Sequence, residues 1–157
     1  MPWVNVCSLA GHRTFLANSD DGTTGETLPF TFRYYGSPYS YVGIASNGQL
    51  SFVLPTYAWV NSMLPTSAVE NTIFGFWDDI YQRNGICTAT VGTAPLRRYI
   101  AEWEDNFFYP PGSSNASEHM IVRGGASTPT LGYQSFAPCT SSSARRRSRW
   151  ARNAGPC

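Results

Sequence analysis

The clearest pattern in the chain is an alternation of apolar and polar positions over residues 28–34. A period of two places Leu28, Phe30, Phe32 and Tyr34 on one face of an extended segment. Pro29 has no N–H to donate to a neighbouring strand, so it favours an edge position or a strand start. This segment is therefore predicted to be a half-buried strand, with Pro29 either on an edge strand or at the strand's start.

Two turn signals join further apolar runs into hairpins. Asn47-Gly48 is a strong hairpin signal, because a type I′ turn requires positive φ at both central residues. Residues 92–95 (Gly-Thr-Ala-Pro) form the second turn signal. The predicted strands joined by these turns are residues 41–45, 50–53, 85–91 and 98–103. The continuous apolar run at residues 73–77 predicts a short strand buried on both faces.

The rest of the chain is less regular. Residues 55–71 and 109–118 are rich in Pro, Ser, Thr, Asn or Gly and are predicted to be loops. Residues 119–122 and 131–136 are predicted to be short strands. Turn signals about every 8 to 12 residues indicate an all-β fold. We predict a single antiparallel β-sandwich or jelly-roll-like domain over residues 1–138.

The composition supports a globular, strand-rich protein and disfavours other classes. The chain has 157 residues, of which 42% are hydrophobic and 15% aromatic, enough for a core. Only 13% are charged, and with 14 Gly and 11 Pro this disfavours a helical bundle or a coiled coil. No apolar run reaches the roughly 18 residues of a transmembrane helix, so we expect no membrane insertion.

Charge is distributed unevenly along the chain. Residues 1–118 hold ten acidic residues and five arginines, a net charge of −5, whereas residues 119–157 hold six arginines and no acidic residue, +6. Residues 139–157 lack periodicity and are predicted to be a disordered basic tail. The tail residues with phosphate-binding chemistry are Arg145, Arg146, Arg147, Arg149, Trp150 and Arg152. We favour a non-functional or frame-shifted end over that function, and do not expect a nucleic-acid partner.

The cysteines favour disulfides and an oxidising compartment. Cys7, Cys87, Cys139 and Cys157 contain no C-x-x-C pair, and the three connectivities that four cysteines allow remain open. A zinc site of Cys7, His12 and Cys87 is a weaker alternative, because the spacing matches no zinc finger or ribbon. The first residues lack the basic and apolar regions of a signal peptide. The chain is therefore either a fragment of an exported protein or not exported.

We find no catalytic signature. The motifs H-E-x-x-H, P-loop and G-x-G-x-x-G are absent, and a Ser-His-Asp triad using His12 or His119 lacks support. Glu102 and Glu104 are two positions apart on a predicted strand, roughly 7 Å, which is within reach of glycosidase geometry. A solvated strand face is the preferred interpretation of this pair. We therefore predict no enzymatic activity and no catalytic residue.

Two acidic pairs are candidate calcium ligands. Asp20-Asp21 precedes Gly22, and Asp78-Asp79 follows a predicted strand. Ca²⁺ takes about six to eight oxygen ligands, so both pairs would have to converge together with backbone or water oxygens. The alternative is turn chemistry, in which aspartate side chains cap their own backbone. Calcium is the one cofactor that these residues suggest.

Loop aromatics are the candidate ligand-binding residues. Tyr35, Tyr39, Tyr57 and Trp59 lie in or beside predicted loops, where aromatic rings stack on sugars or anchor protein partners. The alternative is that some of them fill the core and the corners of the sheets. Asn115 begins an Asn-Ala-Ser sequon in a predicted surface loop and is a candidate glycosylation site.

Several short motifs, taken in order, resemble a known family. They are Asp20-Asp21-Gly22, Leu28 to Gly36, Ser46 to Phe52, Leu64-Pro65, Phe76-Trp77-Asp78-Asp79, Gly92 to Pro95 with Arg97 to Tyr99, and Glu102-Trp103. Over residues 15–108 this order resembles a β-rich extracellular module of secreted and surface-anchored bacterial proteins, distantly similar to the nidogen-type (NIDO) domain. The resemblance implies a non-catalytic β-sandwich with no agreed ligand. It also implies structural roles for the Asn-Gly hairpin and for Trp77, as a core anchor.

The residues and the resemblance together predict an extracellular function. We expect a non-catalytic adhesion or protein-interaction module of a bacterial secreted or surface protein, with a protein or a glycan as partner. The alternative is a carbohydrate-binding accessory module that uses the loop aromatics. Neither the ligand nor the parent protein can be named from the sequence.

Overall fold

A computed structural model shows the described part of the chain as strands joined by turns and loops. It describes residues 4–110, 115–123 and 130–136, with side chains over residues 4–110. These residues form no helix, and so none that is long and apolar enough to cross a membrane. Residues 139–157, the predicted tail, lie outside the described residues together with Cys139 and Cys157.

The described residues form ten strands in two antiparallel sheets. They are β1 (Arg13–Phe15), β2 (Thr23–Tyr34), β3 (Ser37–Ala45), β4 (Gln49–Ser51), β5 (Thr72–Phe74), β6 (Ile80–Gln82), β7 (Ile86–Val91), β8 (Arg98–Phe108), β9 (Asn115–Arg123) and β10 (Thr130–Phe136). The smaller sheet has the order β2-β3-β4-β5. The larger sheet has the order β1-β7-β8-β9-β10, and β6 pairs with β8. The predicted all-β antiparallel sandwich is confirmed.

The main core lies between the two sheets. Its buried members are Leu28, Phe32, Val42, Ile44, Leu50, Phe52, Ile73, Ile86, Tyr99, Ala101 and Trp103. Burying each large apolar side chain contributes about 1.5–3 kcal/mol. Trp103 is the largest fully buried side chain, and its Nε1 donates a hydrogen bond to the Ala45 carbonyl of the opposite sheet at 3.0 Å. The two sheets are therefore joined by a specific polar contact as well as by packing.

A buried polar group also bridges the sheets. The Tyr99 hydroxyl of β8 donates a hydrogen bond to the carboxylate of Glu26 on β2, and Arg13 of β1 forms an ion pair with the same carboxylate. Burial, followed by the Glu26 carboxylate, raises the pKa of Tyr99. Tyr99 therefore stays protonated and acts as a donor, which stabilises a carboxylate that would be costly to bury alone.

The N-terminal segment covers the outer face of the larger sheet. Val6 packs with Cys87 and Ile100 in a second buried cluster. A disulfide joins Cys7 to Cys87, with their Cα atoms 5.2 Å apart and 80 residues apart in sequence. The prediction of disulfide bonding is confirmed for this pair, and no free cysteine occurs among the described residues.

Glu102 is a structural residue of this outer face. It is fully buried, and its Oε2 accepts hydrogen bonds from the backbone N–H of Val6 and, at 3.3 Å, of Cys7. The prediction that Glu102 lies on a solvated strand face is therefore wrong. Glu104, two residues later, remains partly exposed. The carboxylate of Glu102 holds the N-terminal segment against the sheet.

Most predicted strands are confirmed, several with longer bounds. Strand β2 contains the alternating segment and begins earlier, at Thr23, and it is an edge strand, as Pro29 requires. The hairpin of β7 and β8 is also confirmed, with Ile86 opposite Trp103. Strands β9 and β10 pair with each other, with Thr130 opposite Arg123. The weak C-terminal pattern therefore does form strands.

One turn differs from its prediction. Residues 46–48 form a three-residue loop, in which Gly48 has φ of 77° while Asn47 is not among the residues with positive φ. A Cβ at Gly48 would also lie 2.0 Å from the Phe76 carbonyl oxygen, so only glycine fits. The two-residue turn with positive φ at both positions is instead Tyr35-Gly36, at 46° and 86°. The type I′ prediction for Asn47-Gly48 is wrong.

The predicted loop over residues 109–118 is also shorter than expected. Asn115 begins β9, where it lies opposite Phe107 of β8. Its sequon therefore lies at the start of a strand and not in a loop. The sequence could not reveal this pairing, because residues 115–118 lack apolar alternation and take their strand conformation from the backbone of β8.

Removing the disulfide is expected to lower stability. In a Cys139→Ser/Cys157→Ser background, Cys7→Ser/Cys87→Ser should lower the free energy of unfolding by about 2–4 kcal/mol, because the bond closes a long loop. Urea denaturation with and without reducing agent measures this. Reduction of the disulfide-bonded protein should reproduce the loss and have no effect on the double variant. Equal stability of the two proteins would contradict the prediction.

Candidate functional site

Three carboxylates converge at one end of the sandwich. Asp20 and Asp21 lie in the turn before β2, and Asp79 directly precedes β6. One carboxylate oxygen from each lies within 4.8 Å of the others. The Asp78 carboxylate is not in this group, and its Oδ1 accepts a hydrogen bond from the Asp79 N–H at 2.8 Å. We call Asp20, Asp21 and Asp79 the aspartate cluster, which holds three of the four predicted calcium ligands.

The aspartate cluster concentrates uncompensated negative charge. Burial, followed by repulsion from Asp21 and Asp79, raises the pKa of Asp20. Burial and repulsion from Asp21 and Asp78 likewise raise the pKa of Asp79. The ion pairs between described side chains are Arg13–Glu26 and Arg83–Asp105. Neither pair involves the cluster, and the buried Oδ1 of Asp20 has no hydrogen-bond partner in the described protein. Such an arrangement favours an added cation.

A buried amide connects the aspartate cluster to two other segments. Asn47 is fully buried, and its Nδ2 donates hydrogen bonds to Asp21 Oδ1 at 3.0 Å and to the Tyr57 carbonyl at 2.8 Å. Its Oδ1 accepts a hydrogen bond from the Ile80 N–H at 2.9 Å. Leaving any one of these buried groups unpaired would cost about 1–3 kcal/mol. Asn47 therefore holds the turn before β2, a long loop and the start of β6 together.

That long loop joins β4 to β5, and its ends meet. We call residues 52–71 the apolar loop. The N–H of Phe52 donates a hydrogen bond to the Asn71 carbonyl at 3.0 Å, which closes the loop at its base. Pro55 lies against β3 at Gly43, where a Cβ would be 2.7 Å from the Pro55 Cβ. The close approach therefore requires glycine on the strand.

Side-chain donors from the scaffold hold the middle of the apolar loop. Gln49 Nε2 and Trp77 Nε1 both donate hydrogen bonds to the Ala58 carbonyl, at 2.5 Å and 2.7 Å. Asn61 Nδ2 donates in return to the Trp77 carbonyl at 2.5 Å. The Trp77 ring stacks on Phe74 at 4.4 Å between centroids. Trp77 is half-buried, so the expected core anchor is instead a clamp on the loop.

The apolar loop turns most of its large hydrophobic side chains to solvent. Residues 52–69 contain no charged residue. Met63 is 91% exposed and Leu54 is 86% exposed. The other exposed hydrophobic residues of the loop are Val53, Tyr57, Trp59, Val60 and Leu64. Exposed apolar side chains gathered on one anchored loop are typical of an interaction surface.

The predicted aromatic ligand residues lie at two separate places. Tyr35 forms the β2–β3 turn and is 93% exposed, while Tyr39 is half-buried and packs against the main core. Tyr57 and Trp59 belong to the apolar loop, beside the β3–β4 turn. At about 3.3 Å per residue along β3, the two turns are roughly 30 Å apart. The four residues therefore do not form a single stacking platform.

The alternative zinc site finds no support in the geometry. The sulfur atoms of Cys7 and Cys87 are joined in the disulfide, so neither is a thiolate ligand. His12 is directed to the backbone instead, with its Nδ1 2.8 Å from the Leu9 carbonyl oxygen. These residues have structural roles at the N-terminal segment.

Sequence reasoning missed the two amides that organise the site. Asn47 was assigned to turn chemistry alone, and Gln49 received no role. Both are buried polar side chains beside predicted strands. An Asn-Gly turn already explains an asparagine, so the local sequence carries no further signal of its tertiary contacts. A single glutamine at the start of a strand is equally uninformative.

The fold and these features define a two-sheet β module with a disulfide-tied N-terminal segment and an exposed, anchored loop. The chain belongs to the family described as NIDO related (nidogen related), whose model matches residues 3–123. The resemblance predicted from the motifs is thus confirmed. Membership indicates an extracellular protein-interaction module. No curated protein and no solved structure matched the chain.

Neutralising one carboxylate of the aspartate cluster should stabilise the protein at neutral pH. A raised pKa means that the folded state binds the proton more tightly, so stability falls as the pH rises from 3.8, the ordinary value, through the raised pKa. Asp79→Asn removes this repulsion and should raise Tm at pH 7, with the gain shrinking towards pH 4. Thermal unfolding across this pH range measures the effect.

The matched control for this experiment is Asp105→Asn. Asp105 forms an ion pair with Arg83, so its neutralisation should bring no gain in Tm at pH 7. If Asp79→Asn lowered Tm at pH 7, or shifted it equally at all pH values, repulsion within the cluster would not be the cause.

Proposed function

We propose that the chain is a non-catalytic adhesion or protein-interaction module of a bacterial secreted or surface protein, and that the apolar loop is its contact surface. The observation that carries the proposal is the exposure of Leu54, Val60, Met63 and Leu64 on a loop whose backbone the scaffold anchors. Anchoring lowers the conformational entropy lost on binding, which leaves more of the contact energy for affinity. The disulfide and the family membership support an extracellular setting.

The second candidate function is carbohydrate binding. It is favoured by Tyr57 and Trp59, two exposed aromatic rings close in sequence on the apolar loop. Aromatic faces stack on the apolar faces of sugar rings. The aliphatic residues around them favour a protein partner instead, because sugars offer little apolar surface for Met63 and Leu64 to contact.

Binding to whole cells separates the two candidates. Labelled protein is added to cells of the organism that encodes the chain, either untreated, protease-treated or periodate-oxidised. We expect binding that protease removes and periodate leaves intact. Met63→Ser/Leu64→Ser should lower this binding by at least about tenfold, because it removes two exposed apolar side chains of the apolar loop.

Leu96→Ser is the matched control, because Leu96 is an equally exposed aliphatic residue in the β7–β8 turn, outside the apolar loop. It should bind like the unaltered protein. Loss of binding after periodate treatment alone would favour the carbohydrate alternative. If Met63→Ser/Leu64→Ser bound to cells as strongly as Leu96→Ser and the unaltered protein, a role for the apolar loop would be refuted.

We also propose that the aspartate cluster can hold a calcium ion. Asp20, Asp21 and Asp79 supply carboxylate oxygens, the ligand type that Ca²⁺ prefers. The remaining ligands would have to come from backbone carbonyls and water. A bound cation would remove the repulsion that raises the pKa values of Asp20 and Asp79. Calcium would then stabilise the turn that Asn47 joins to the apolar loop.

Calcium binding is measured by calorimetry and by the shift of Tm. A ligand at about 100-fold excess over its Kd stabilises the folded state by about 2.7 kcal/mol. We expect a rise in Tm with CaCl₂ that MgCl₂ does not match, and that Asp20→Asn/Asp79→Asn abolishes. Asp105→Asn should respond like the unaltered protein. Absence of heat and of any shift in Tm would rule the site out.

A further inference from the structure

The apolar loop and the aspartate cluster adjoin at one buried amide, Asn47. The same nitrogen, Asn47 Nδ2, donates hydrogen bonds to Asp21 of the cluster and to Tyr57 of the loop, both within 3.0 Å. Asn61 of the loop donates to the carbonyl of Trp77, the residue before Asp78. The carboxylate of Asp21 therefore lies beside the apolar loop at Tyr57, whose side chain is 55% exposed, and loop and cluster together form the surface that a partner can meet.

This surface combines two chemistries that call for different groups on a partner. The loop offers aliphatic and aromatic side chains and no charge over residues 52–69. The aspartate cluster offers three carboxylates, which no described arginine neutralises through an ion pair. A complementary partner brings apolar groups for the loop and cationic groups for the cluster.

We propose that this surface docks a protein segment in which aliphatic or aromatic side chains alternate with arginine or lysine. The apolar side chains of that segment pack on Leu54, Met63 and Leu64, and its cationic groups lie against Asp20, Asp21 and Asp79. The inference rests on the proposed function and names the chemistry of the partner.

The charge of the cluster also argues against two other occupants. A bilayer with anionic lipids would repel the carboxylates of the aspartate cluster, so it does not suit this surface. A second copy bound through a twofold axis with this same surface on both sides would enclose two aspartate clusters, and no cationic group of the surface, in one interface. Like charges in such a contact oppose association, which leaves a cationic partner of a different kind.

The geometry of the cluster points the same way. One carboxylate oxygen from each of Asp20, Asp21 and Asp79 lies within 4.8 Å of the others, so their negative charges repel one another. A guanidinium or ammonium group placed against them relieves that repulsion. The contact should therefore weaken with added salt.

Fluorescence anisotropy with defined peptides tests the inference on the full chain. The probe is an eight-residue labelled peptide that alternates arginine with tryptophan or leucine. Two comparison peptides carry glutamate in place of arginine, or serine in place of the apolar residues. We expect the probe to bind and the two comparison peptides not to bind. The affinity for the probe should fall as the NaCl concentration is raised.

Two variants separate the contributions of charge and apolar contact. Asp20→Asn/Asp79→Asn should lower the affinity for the probe by at least about tenfold and make that affinity less dependent on salt. Met63→Ser/Leu64→Ser should weaken it by a similar factor and leave the salt dependence in place. Leu96→Ser and Asp105→Asn, outside the surface, should bind like the unaltered protein. Excess CaCl₂ should compete, since calcium would occupy the same carboxylates.

Four outcomes would overturn the inference. Equal binding of the arginine and glutamate peptides, lost in Met63→Ser/Leu64→Ser, would leave the apolar loop as a docking surface without cation preference. Absence of peptide binding, with binding to cells retained, would refute this partner chemistry and leave the proposed function standing. Binding to phosphatidylserine vesicles as strong as to the probe would assign the surface to a membrane. A dimer that Met63→Ser/Leu64→Ser lacks would assign it to a second copy.

Discussion

The structure around the aspartate cluster and the apolar loop depends on one buried amide. Asn47 meets the turn before β2, the apolar loop and the start of β6, and it satisfies a polar group in each of them. A buried polar group without a partner is costly, so these three segments hold one another in place. Gly48 makes this possible, because only a residue without a side chain fits against Phe76 at the next position.

This constraint lets an irregular loop present a defined surface. Residues 52–71 contain no strand, yet hydrogen bonds from Asn47, Gln49 and Trp77 hold their backbone. The two-sheet scaffold therefore fixes the position of the loop's backbone, as scaffolds of regular structure generally do for exposed loops. The scaffold holds the middle of the loop through the carbonyl groups of Tyr57 and Ala58, so most of the loop's large apolar side chains are left at the surface. The same amide, Asn47, also binds the Asp21 carboxylate and so places the turn that carries Asp20 and Asp21 beside the loop.

The strands could be predicted from the sequence wherever the pattern was long enough. The alternation over residues 28–34 predicts β2 and its buried face. Pro29 allows either an edge strand or a strand start, and the sheet order shows the edge strand. Strands β1 and β6 were missed, since three residues carry no measurable period and exist only through pairing with β7 and β8. For the site, the sequence predicts that the pairs Asp20-Asp21 and Asp78-Asp79 have to converge if they hold calcium, and all of them but Asp78 do so. It gives no sign of the connecting amides.

The sequence by itself determined the fold class, the alternating strand, the two central hairpins and the presence of the long loop. These features follow from local periodicity and from residues with restricted backbone angles. Only the tertiary structure decided that Glu102 is a buried acceptor and Trp77 a clamp on the loop. The same holds for the separation of Tyr35 from Trp59. The physical reason is that burial and hydrogen-bond partners depend on contacts between residues far apart in the chain, which no local pattern records.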